Sequence, residues 1–392
     1  MGTTGRLATL ALGTAFLAVP LVATAAQAQT AAPHTVYVSA NASGHAKDCG
    51  PAAFRTINAA IAAVASGGTV VVCGGTYNED VAVTKPLTLQ GRSKATIDAT
   101  KVINGITVTA DHVTVSGFTV KNAIGEGILV NGADYVTLKD NVVSHNDLGG
   151  LPTGAVPNDY PACAAQGGVP GDCGEGIHLM GSSHSTLKDN VSTDNSGGIL
   201  ISDETGPAAY NRIAGNVVTD NLYACGVTVV GHNPAAAPGG KPAPSVAGVY
   251  GNVVSGNRIT GNGANGGGAG VVIATPLPGG AVYDNTVEGN SISGNGMSGV
   301  TVHSHVPGQD LNGNVIRGNK IGINNVKGDT DVTPADTQTT GVLVGTAAPL
   351  SIEISGNVIS KDHFGIYTAG PVKLVSGRKN VFPGVAVHVS AN

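Results

Sequence analysis

The sequence Gly-Ile-His-Leu at residues 176–179 returns 22 residues later as Gly-Ile-Leu-Ile at residues 198–201. The same phrase, a glycine followed by an aliphatic, a variable and a second aliphatic residue, recurs along most of the chain. The glycines that open the copies are Gly105, Gly127, Gly176, Gly198, Gly226, Gly270, Gly299, Gly341 and Gly365. A period of about 20 to 30 residues is typical of solenoids, whose stacked units bury one continuous core. The repeat therefore predicts an all-β solenoid.

The phrase also predicts where its side chains point. Successive side chains of a strand alternate between two faces, so the two aliphatic residues point into the stack and the variable residues point outward. Asparagines recur at the turn after a second strand: Asn141, Asn190, Asn216, Asn257, Asn290, Asn319 and Asn357. Asparagine tolerates left-handed backbone conformations, and its amide can bond the same residue one coil away. We expect a structural ladder that carries no chemistry.

The first part of the chain is expected to cap the stack. Residues 54–64 place apolar side chains at helical spacing and are followed by two glycines. Three stretches resemble the pectate-lyase-like superfamily of parallel β-helix proteins: Phe-Arg-Thr-Ile-Asn-Ala-Ala-Ile (54–61), Gly-Thr-Tyr-Asn-Glu (75–79) and Lys-Pro-Leu-Thr-Leu-Gln-Gly (85–91). The resemblance implies a right-handed parallel β-helix solenoid with an N-terminal capping helix. That superfamily includes lyases, hydrolases and epimerases, so the resemblance is more specific for fold than for activity.

The beginning of the chain and its charge indicate where the protein works. Arg6, the following apolar run and the small residues at 26–28 predict a secretory signal peptide over residues 1–28. Residues 29–392 then form one domain, with the cap and first coils over 29–100 and the repeat coils over 101–392. No later stretch is apolar for about 20 residues, so we expect no membrane span. A net charge of −5 with only 20 Lys and Arg residues argues against a nucleic-acid partner. We expect the mature protein to be a secreted, extracellular monomer, with export to the periplasm as the alternative.

Five cysteines in an exported chain predict up to two disulfides. Cys163 and Cys173 lie in one loop, and Cys49 and Cys73 flank the predicted helix, so each pair can form a bridge. Cys225 would then remain. The sequence leaves the pairing open.

Insertions interrupt the repeat at residues 148–173, 233–247 and 326–340. The first ends just before the strand of His178, and the second begins just after the strand of Gly226. The two can border one groove, and long loops on a rigid scaffold often carry function. Counted from the repeat glycines, Glu204 and His232 occupy equivalent positions on neighbouring coils, which stand about 4.8 Å apart.

A carboxylate beside an imidazole suits proton abstraction and return. On a uronic acid, removal of the proton next to the carboxylate leads to epimerisation or to elimination. We therefore predict a polysaccharide lyase or epimerase, whereas a neutral substrate would point to glycoside hydrolysis by two carboxylates. The signatures of β-helix polygalacturonases, pectate lyases and alginate epimerases are absent. The predicted catalytic residues are His178, Asp203, Glu204 and His232, and the predicted substrate contacts are Asp194, Glu175, Arg212, His303 and His305.

Other classes of function stay open on the sequence. His303-Ser304-His305 places two imidazoles on one face of a strand, where both can bind one transition-metal ion. The corresponding function is a His-rich, copper-handling β-helix protein. Asp194, Asp203 and Asp220 offer oxygen ligands for Ca²⁺, although no acidic loop of the calcium-binding type is present. The remaining alternative is a non-catalytic β-helix that binds a glycan or a surface polymer.

Overall fold

A computed structural model describes residues 1–2, 32–40, 49–146, 175–265, 267–326 and 338–391. The chain divides into two compact units, Met1–Ala31 and Ala32–Asn392, and the described strands lie in the second. Most of the predicted signal peptide, the insertion at 148–173 and the predicted Cys163–Cys173 bridge lie outside the described residues.

The described strands form two long parallel sheets and one short sheet. The first, called the repeat sheet below, contains Val81–Val83, Ile106–Val108, Ile128–Asn131, Glu175–Met180, Gly197–Ser202, Val227–Val230, Val271–Thr275, Val300–Ser304, Thr340–Gly345, Phe364–Ala369 and Val387–Ala391. The second, called the wide sheet, contains Thr35–Val38, Thr69–Val72, Gly75–Tyr77, Thr88–Asp98, Thr114–Lys121, Thr137–Lys139, Val142–Ser144, Thr186–Lys188, Val191–Thr193, Arg212–Ala214, Val217–Thr219, Val253–Ser255, Arg258–Thr260, Thr286–Glu288, Ser291–Ser293, Val315–Arg317, Lys320–Ile321, Leu350–Ser355, Val358–Ile359 and Val372–Val375. The short sheet contains Ala208–Ala209, Val249–Tyr250 and Val282–Tyr283.

Strand pairing in the repeat sheet has the register that the repeat predicts. Ile177 pairs in parallel with Ile128 on the preceding coil and with Ile199 on the next. The inward aliphatic residues of both long sheets are buried in one hydrophobic core. Each coil covers its aliphatic face only by stacking on its neighbours, so the hydrophobic effect holds the coils together. The fold is the predicted right-handed parallel β-helix, the hand that parallel crossover connections almost always take.

The repeat glycine is required by close contact between coils. A Cβ at Gly198 would collide with the carbonyl oxygen of Gly226 and with the side chain of Val218. Gly226 meets the carbonyl oxygen of Gly270 in the same way. The residue that defines the period in the sequence is therefore a contact point between one coil and the next.

Asparagine ladders bond the turns of successive coils. Asn141 Nδ2 donates to Asn190 Oδ1 at 3.0 Å, and the same bond continues through the predicted ladder to Asn380. A second ladder, which was not predicted, starts at Asn146 and ends at Asp362, where a carboxylate replaces the amide. A third joins Asn211, Asn252, Asn285 and Asn314. The predicted structural role of the first ladder is confirmed.

A short helix, Ile57–Ala63, packs against the first coils. Its N-cap is Thr56, whose side chain accepts the N–H of Ala59 at 3.3 Å. The carboxylate of Glu79 accepts the N–H groups of Ile57 and Asn58 at 2.8 and 3.1 Å. These bonds satisfy donors that the first turn of a helix leaves without partners.

The Cys49–Cys73 disulfide, one of the two predicted pairs, joins the segment before the helix to the end of the strand Thr69–Val72. Its Cα atoms lie 5.6 Å apart. A three-residue 3₁₀ turn, Pro238–Gly240, lies in the second insertion. No helix in the described part of the chain has the length and apolar character needed to cross a membrane.

Candidate functional site

A chain of polar side chains runs across four successive coils of the repeat sheet. Nδ1 of His178 lies 2.9 Å from Oε1 of Glu126, and Nε2 of the same ring lies 2.7 Å from Oγ of Ser202. Ser202 donates to Oε2 of Glu204, whose Oε1 lies 2.8 Å from Nδ1 of His232. The chain therefore connects three of the residues predicted to be catalytic and adds two that were not predicted, Glu126 and Ser202.

The hydrogen-bonded row of side chains from Glu126 to His232 is enclosed by the protein. His178 is 1% exposed and His232 is 4% exposed. Leu129 and Leu200, which pair with His178 in the sheet, are also buried although they occupy outward positions. This part of the sheet is therefore covered, including positions whose side chains point outward from the stack.

The hydrogen-bond directions determine where His178 carries its proton. Burial alone would raise the pKa of Glu204. The hydrogen bond from His232, the charges of the His178 and His232 rings and the hydrogen bond from Ser202 outweigh burial and hold that pKa below its ordinary value. Glu204 is thus a carboxylate that accepts the single hydroxyl proton of Ser202. The Ser202 oxygen must then accept from Nε2–H of His178. Nδ1 of His178 faces Glu126, and a proton or a cation must lie between the nitrogen and the carboxylate oxygen.

Two carboxylates and this imidazole converge at one end of the chain. Ligand atoms of Glu126, Glu175 and His178 lie within 4.8 Å of one another, and all three residues are buried. Oε2 of Glu126 accepts the backbone N–H of Glu175 at 2.9 Å. A Cβ at Gly197 would approach Cγ and Oε1 of Glu175 to 2.9 Å, so the missing side chain of Gly197 makes room for this carboxylate. We call Glu126, Glu175 and His178 the acid–imidazole cluster.

The register of the repeat explains this cluster. Glu126 and Glu175 each precede a repeat glycine, so they stack on neighbouring coils, and His178 follows the second of these glycines by two residues. Glu126 was not predicted because residues were compared only at positions after each repeat glycine, and Glu175 was named without its counterpart on the preceding coil. Comparing the positions before each glycine would have revealed it, since two acidic residues stand there on consecutive coils.

Asp203 makes contacts of a different kind. Its carboxylate accepts the backbone N–H groups of His232, Asn233 and Gly248 at 2.7, 3.0 and 2.7 Å. Burial raises the pKa of Asp203 to about 6, although the three N–H groups act in the opposite direction. These bonds join the two ends of the insertion at 233–247. Asp203 is therefore an anchor for a loop, and its carboxylate contacts the backbone of His232 rather than the imidazole.

Two predicted substrate contacts lie on the wide sheet. Asp194 follows the strand Val191–Thr193 and accepts a hydrogen bond from the Thr193 hydroxyl at 3.0 Å. Arg212 begins the strand Arg212–Ala214. Neither residue lies on the repeat sheet with His178, so the structure separates them from the enclosed polar chain.

The predicted metal pair, His303 and His305, lies at the end of the strand Val300–Ser304. The ring centroids are 4.7 Å apart, and both rings line a pocket of about 280 Å³ that Cys225 and Met297 also line. His303 follows its repeat glycine by four residues, whereas Cys225 precedes its own by one. The two positions are therefore offset by about 16 Å along the direction of the strands. In the described part of the chain, the acid–imidazole cluster is the one group of three candidate ligands that converges.

Solved structures share the fold at low sequence identity. An alginate lyase from Paenibacillus sp. str. FPU-7 superposes with a TM-score of 0.50 at 15% identity, over 85% of this chain and 96% of that one. The Dettilon tailspike protein superposes with a TM-score of 0.51 at 13% identity, over 89% of this chain and 68% of that one. At these identities the likeness shows the fold alone. No curated protein matches the chain.

A family model adds more specific information. The model described as "Periplasmic copper-binding protein (NosD)" matches residues 63–237 and 158–274. The two matches together cover residues 63–274, more than half of the chain, and include the whole polar chain from Glu126 to His232. The protein therefore belongs to the NosD family of parallel β-helix proteins.

Proposed function

We propose that this protein is an exported metal-binding protein that holds one divalent transition-metal ion between Glu126, Glu175 and His178. The convergence of these buried ligand groups on neighbouring coils carries the proposal. The family description, which names copper and the periplasm, supports the same class of function. The predicted signal peptide and the disulfide of the N-terminal cap support export, because disulfides persist in oxidising compartments.

The charges of the cluster favour a bound cation. Glu126 and Glu175 are both removed from water, and a buried carboxylate is costly unless it is paired. One imidazole offsets at most one of these negative charges, whereas a divalent ion offsets both. Nδ1 of His178 is the ring nitrogen that can donate its lone pair to such an ion, because Nε2–H is held by Ser202.

The donor set also limits which metal fits. Donor atoms that each lie about 2.0–2.2 Å from one ion are at most about 4.4 Å from one another. The three donor atoms of the cluster lie within 4.8 Å of one another, so one ion fits between them after small movements. One imidazole nitrogen with carboxylate oxygens suits copper(II) or zinc, whereas calcium takes six or more oxygen ligands and copper(I) prefers sulfur. Copper(II) binds nitrogen and oxygen donors more tightly than the other common divalent ions. Copper(II) is therefore the first candidate for the bound cargo, and zinc is the second.

Metal titration of purified protein and matched variants tests the proposal. After treatment with EDTA and dialysis, calorimetric titration with CuCl₂ or ZnSO₄, followed by elemental analysis, should give one ion per chain. Glu175→Gln and His178→Gln should each raise the dissociation constant at least about tenfold, because each removes a ligand at nearly constant volume. Glu288→Gln, which changes a carboxylate on the wide sheet, is the matched control. Circular dichroism establishes that each variant is folded.

Two outcomes contradict the metal proposal. Binding that is lost in His303→Ala and retained in His178→Gln would place the ion at the histidine pair. Failure of copper and zinc to bind the folded protein at sub-millimolar concentrations would exclude a metal-binding role.

The second candidate function is a polysaccharide lyase or epimerase. The 2.8 Å contact between Glu204 and His232 favours it, because a carboxylate–imidazole pair can transfer protons. The His232 side chain has no exposed surface, so a polymer would reach it only after the covering segments move. Tyr135, an exposed aromatic residue, offers no ring face to a sugar, because His112 and His184 cover its two faces at 5.0 and 5.1 Å.

Turnover assays distinguish this second candidate. Alginate and polygalacturonate are incubated with the protein, and ultraviolet absorbance reports elimination while NMR spectroscopy reports epimerisation. Activity that Glu204→Gln and His232→Gln abolish would support a catalytic role for the pair. Absence of both products would contradict it, and the metal titration is independent of that result.

A further inference from the structure

A long groove on the wide sheet lies away from the acid–imidazole cluster. Its volume is about 800 Å³, and it crosses five successive strands from Arg212–Ala214 to Leu350–Ser355 before it reaches Arg378. Neighbouring coils stand about 4.8 Å apart, so these strands give the groove a length of about 19 Å. Such a length suits an extended polymer better than a single small molecule.

Five glycines line the floor of the groove. On five coils the residue directly before the asparagine of the first ladder is a glycine with φ between 61° and 68°: Gly215, Gly256, Gly289, Gly318 and Gly356. The equivalent residues on earlier coils are Asp140 and Asp189, whose φ values are 56° and 55°. At two of these positions packing does not require a glycine, since a Cβ at Gly256 or Gly318 would have no atom within 4 Å. The change from aspartate to glycine therefore leaves open space along the groove.

Arginines are concentrated in this groove, which holds three of the seven in the chain. Nε and Nη2 of Arg317 lie 2.8 and 2.7 Å from Oε2 of Glu288, so this arginine is paired. Arg212 and Arg378 stand toward opposite ends, and neither has an ion pair among the described residues. Glu353 and two serines complete the polar lining. The groove thus combines cations at its ends with carboxylates and hydroxyls between them.

We propose that this groove binds an acidic polysaccharide, a chain of sugar rings that carries hydroxyl groups and uronic-acid carboxylates. The guanidinium groups of Arg212 and Arg378 can each bind a carboxylate through two parallel N–H groups. Glu288 and Glu353 can accept hydrogen bonds from sugar hydroxyls. No residue of this groove belongs to the acid–imidazole cluster, so the binding is independent of the proposed metal site.

The mixed charge of the lining selects among polymers. A nucleic acid or a polyphosphate offers few or no hydroxyl groups to Glu288 and Glu353, and it would bring phosphates close to these carboxylates. A neutral glucan lacks carboxylates for Arg212 and Arg378. A hydroxyl-rich chain with spaced negative charges matches the lining best.

Binding measurements in the presence of EDTA test this proposal without any contribution from bound metal. Sodium alginate and sodium polygalacturonate are the probes, with dextran as the neutral polymer and polyphosphate as the highly charged one. Arg212→Ala and Arg378→Ala should each weaken binding about tenfold, because each removes charge-assisted hydrogen bonds. Arg258→Ala is the matched control, since Arg258 is exposed on the same sheet and does not line the groove.

A second pair of substitutions fills the groove from its floor. Gly256→Asn combined with Gly318→Asn adds side chains where asparagine tolerates the backbone, and we expect binding to be lost with an unchanged melting temperature. Failure to bind either acidic polysaccharide would overturn the proposal, as would equal binding of dextran or tighter binding of polyphosphate. An affinity for the acidic polysaccharides that neither the arginine nor the glycine substitutions change would also overturn the proposal. None of these failures affects the metal titration.

Discussion

Asp362 ends the second asparagine ladder, and its replacement by asparagine should stabilise the protein at neutral and alkaline pH. Oδ1 of Asp362 accepts the backbone N–H of Asn324 at 2.9 Å. Oδ2 is buried and has no hydrogen-bond donor in the described structure. Burial raises the pKa of Asp362 from 3.8 to about 7. An asparagine would place an amide group where the unbonded oxygen now lies, as on the preceding coils.

The size of the effect follows from the pKa. The folded protein holds the Asp362 proton more tightly than the unfolded chain does, so this contribution to stability is complete below pH 3.8 and is lost as the pH rises through about 7. About 3 pKa units at 1.36 kcal/mol each give a loss of up to about 4 kcal/mol. Asp362→Asn should therefore raise the free energy of unfolding by about 2–4 kcal/mol at pH 8 and change it little at pH 4.

Urea unfolding followed by circular dichroism at pH 4, 6 and 8 measures this difference. Asp189→Asn is the matched control, because Asp189 lies in a ladder turn and its side chain is 51% exposed. A gain of the same size at pH 4 and pH 8 would refute the electrostatic reasoning, and so would destabilisation by Asp362→Asn at pH 8.

Three further predictions concern the site and the cap. Gly197→Ala should displace the Glu175 carboxylate and weaken copper binding at least about tenfold with little change in circular dichroism; unchanged affinity in the titration would contradict the role of Gly197 in the cluster. Asp203→Ala should leave three backbone N–H groups without an acceptor, cost about 3 kcal/mol and expose the neighbouring Pro- and Gly-rich insertion to limited proteolysis; resistance equal to that of the parent protein would argue against an anchor. Cys49→Ser with Cys73→Ser should cost about 3–4 kcal/mol, because the bridge closes a loop with a sequence separation of 24, and hydrogen exchange should increase in the N-terminal helix first; uniform exchange would contradict a local effect.

The candidate site could be predicted in part. His178, Glu204 and His232 were placed on neighbouring coils because residues in the same phase of a solenoid stack on one another. Glu126 and Glu175 are brought together by the same rule, but 49 residues separate them, since an insertion lengthens that coil. Counting residues by the usual period therefore misses their contact, whereas an alignment on the repeat glycines places the two residues at the same position.

Some roles could not be inferred from the position of a residue within the repeat. Asp203 stands beside Glu204 in the sequence, yet its carboxylate points to backbone N–H groups of the following insertion. Arg212 was predicted to contact the substrate from the second strand of its coil, and that strand belongs to the wide sheet, away from His178. A side chain next to a strand end can point in several directions, and contacts with distant segments decide between them.

By itself, the sequence determined the parallel β-helix, the register of its coils and the first asparagine ladder. These features follow from the alternation of side chains along a strand and from glycines that permit close contact, both of which repeat with the period. The tertiary structure alone decided that His178 and His232 are enclosed and that Arg378 lies in the same groove as Arg212. The burial of a side chain depends on what packs over it in three dimensions, and the periodic pattern does not encode that.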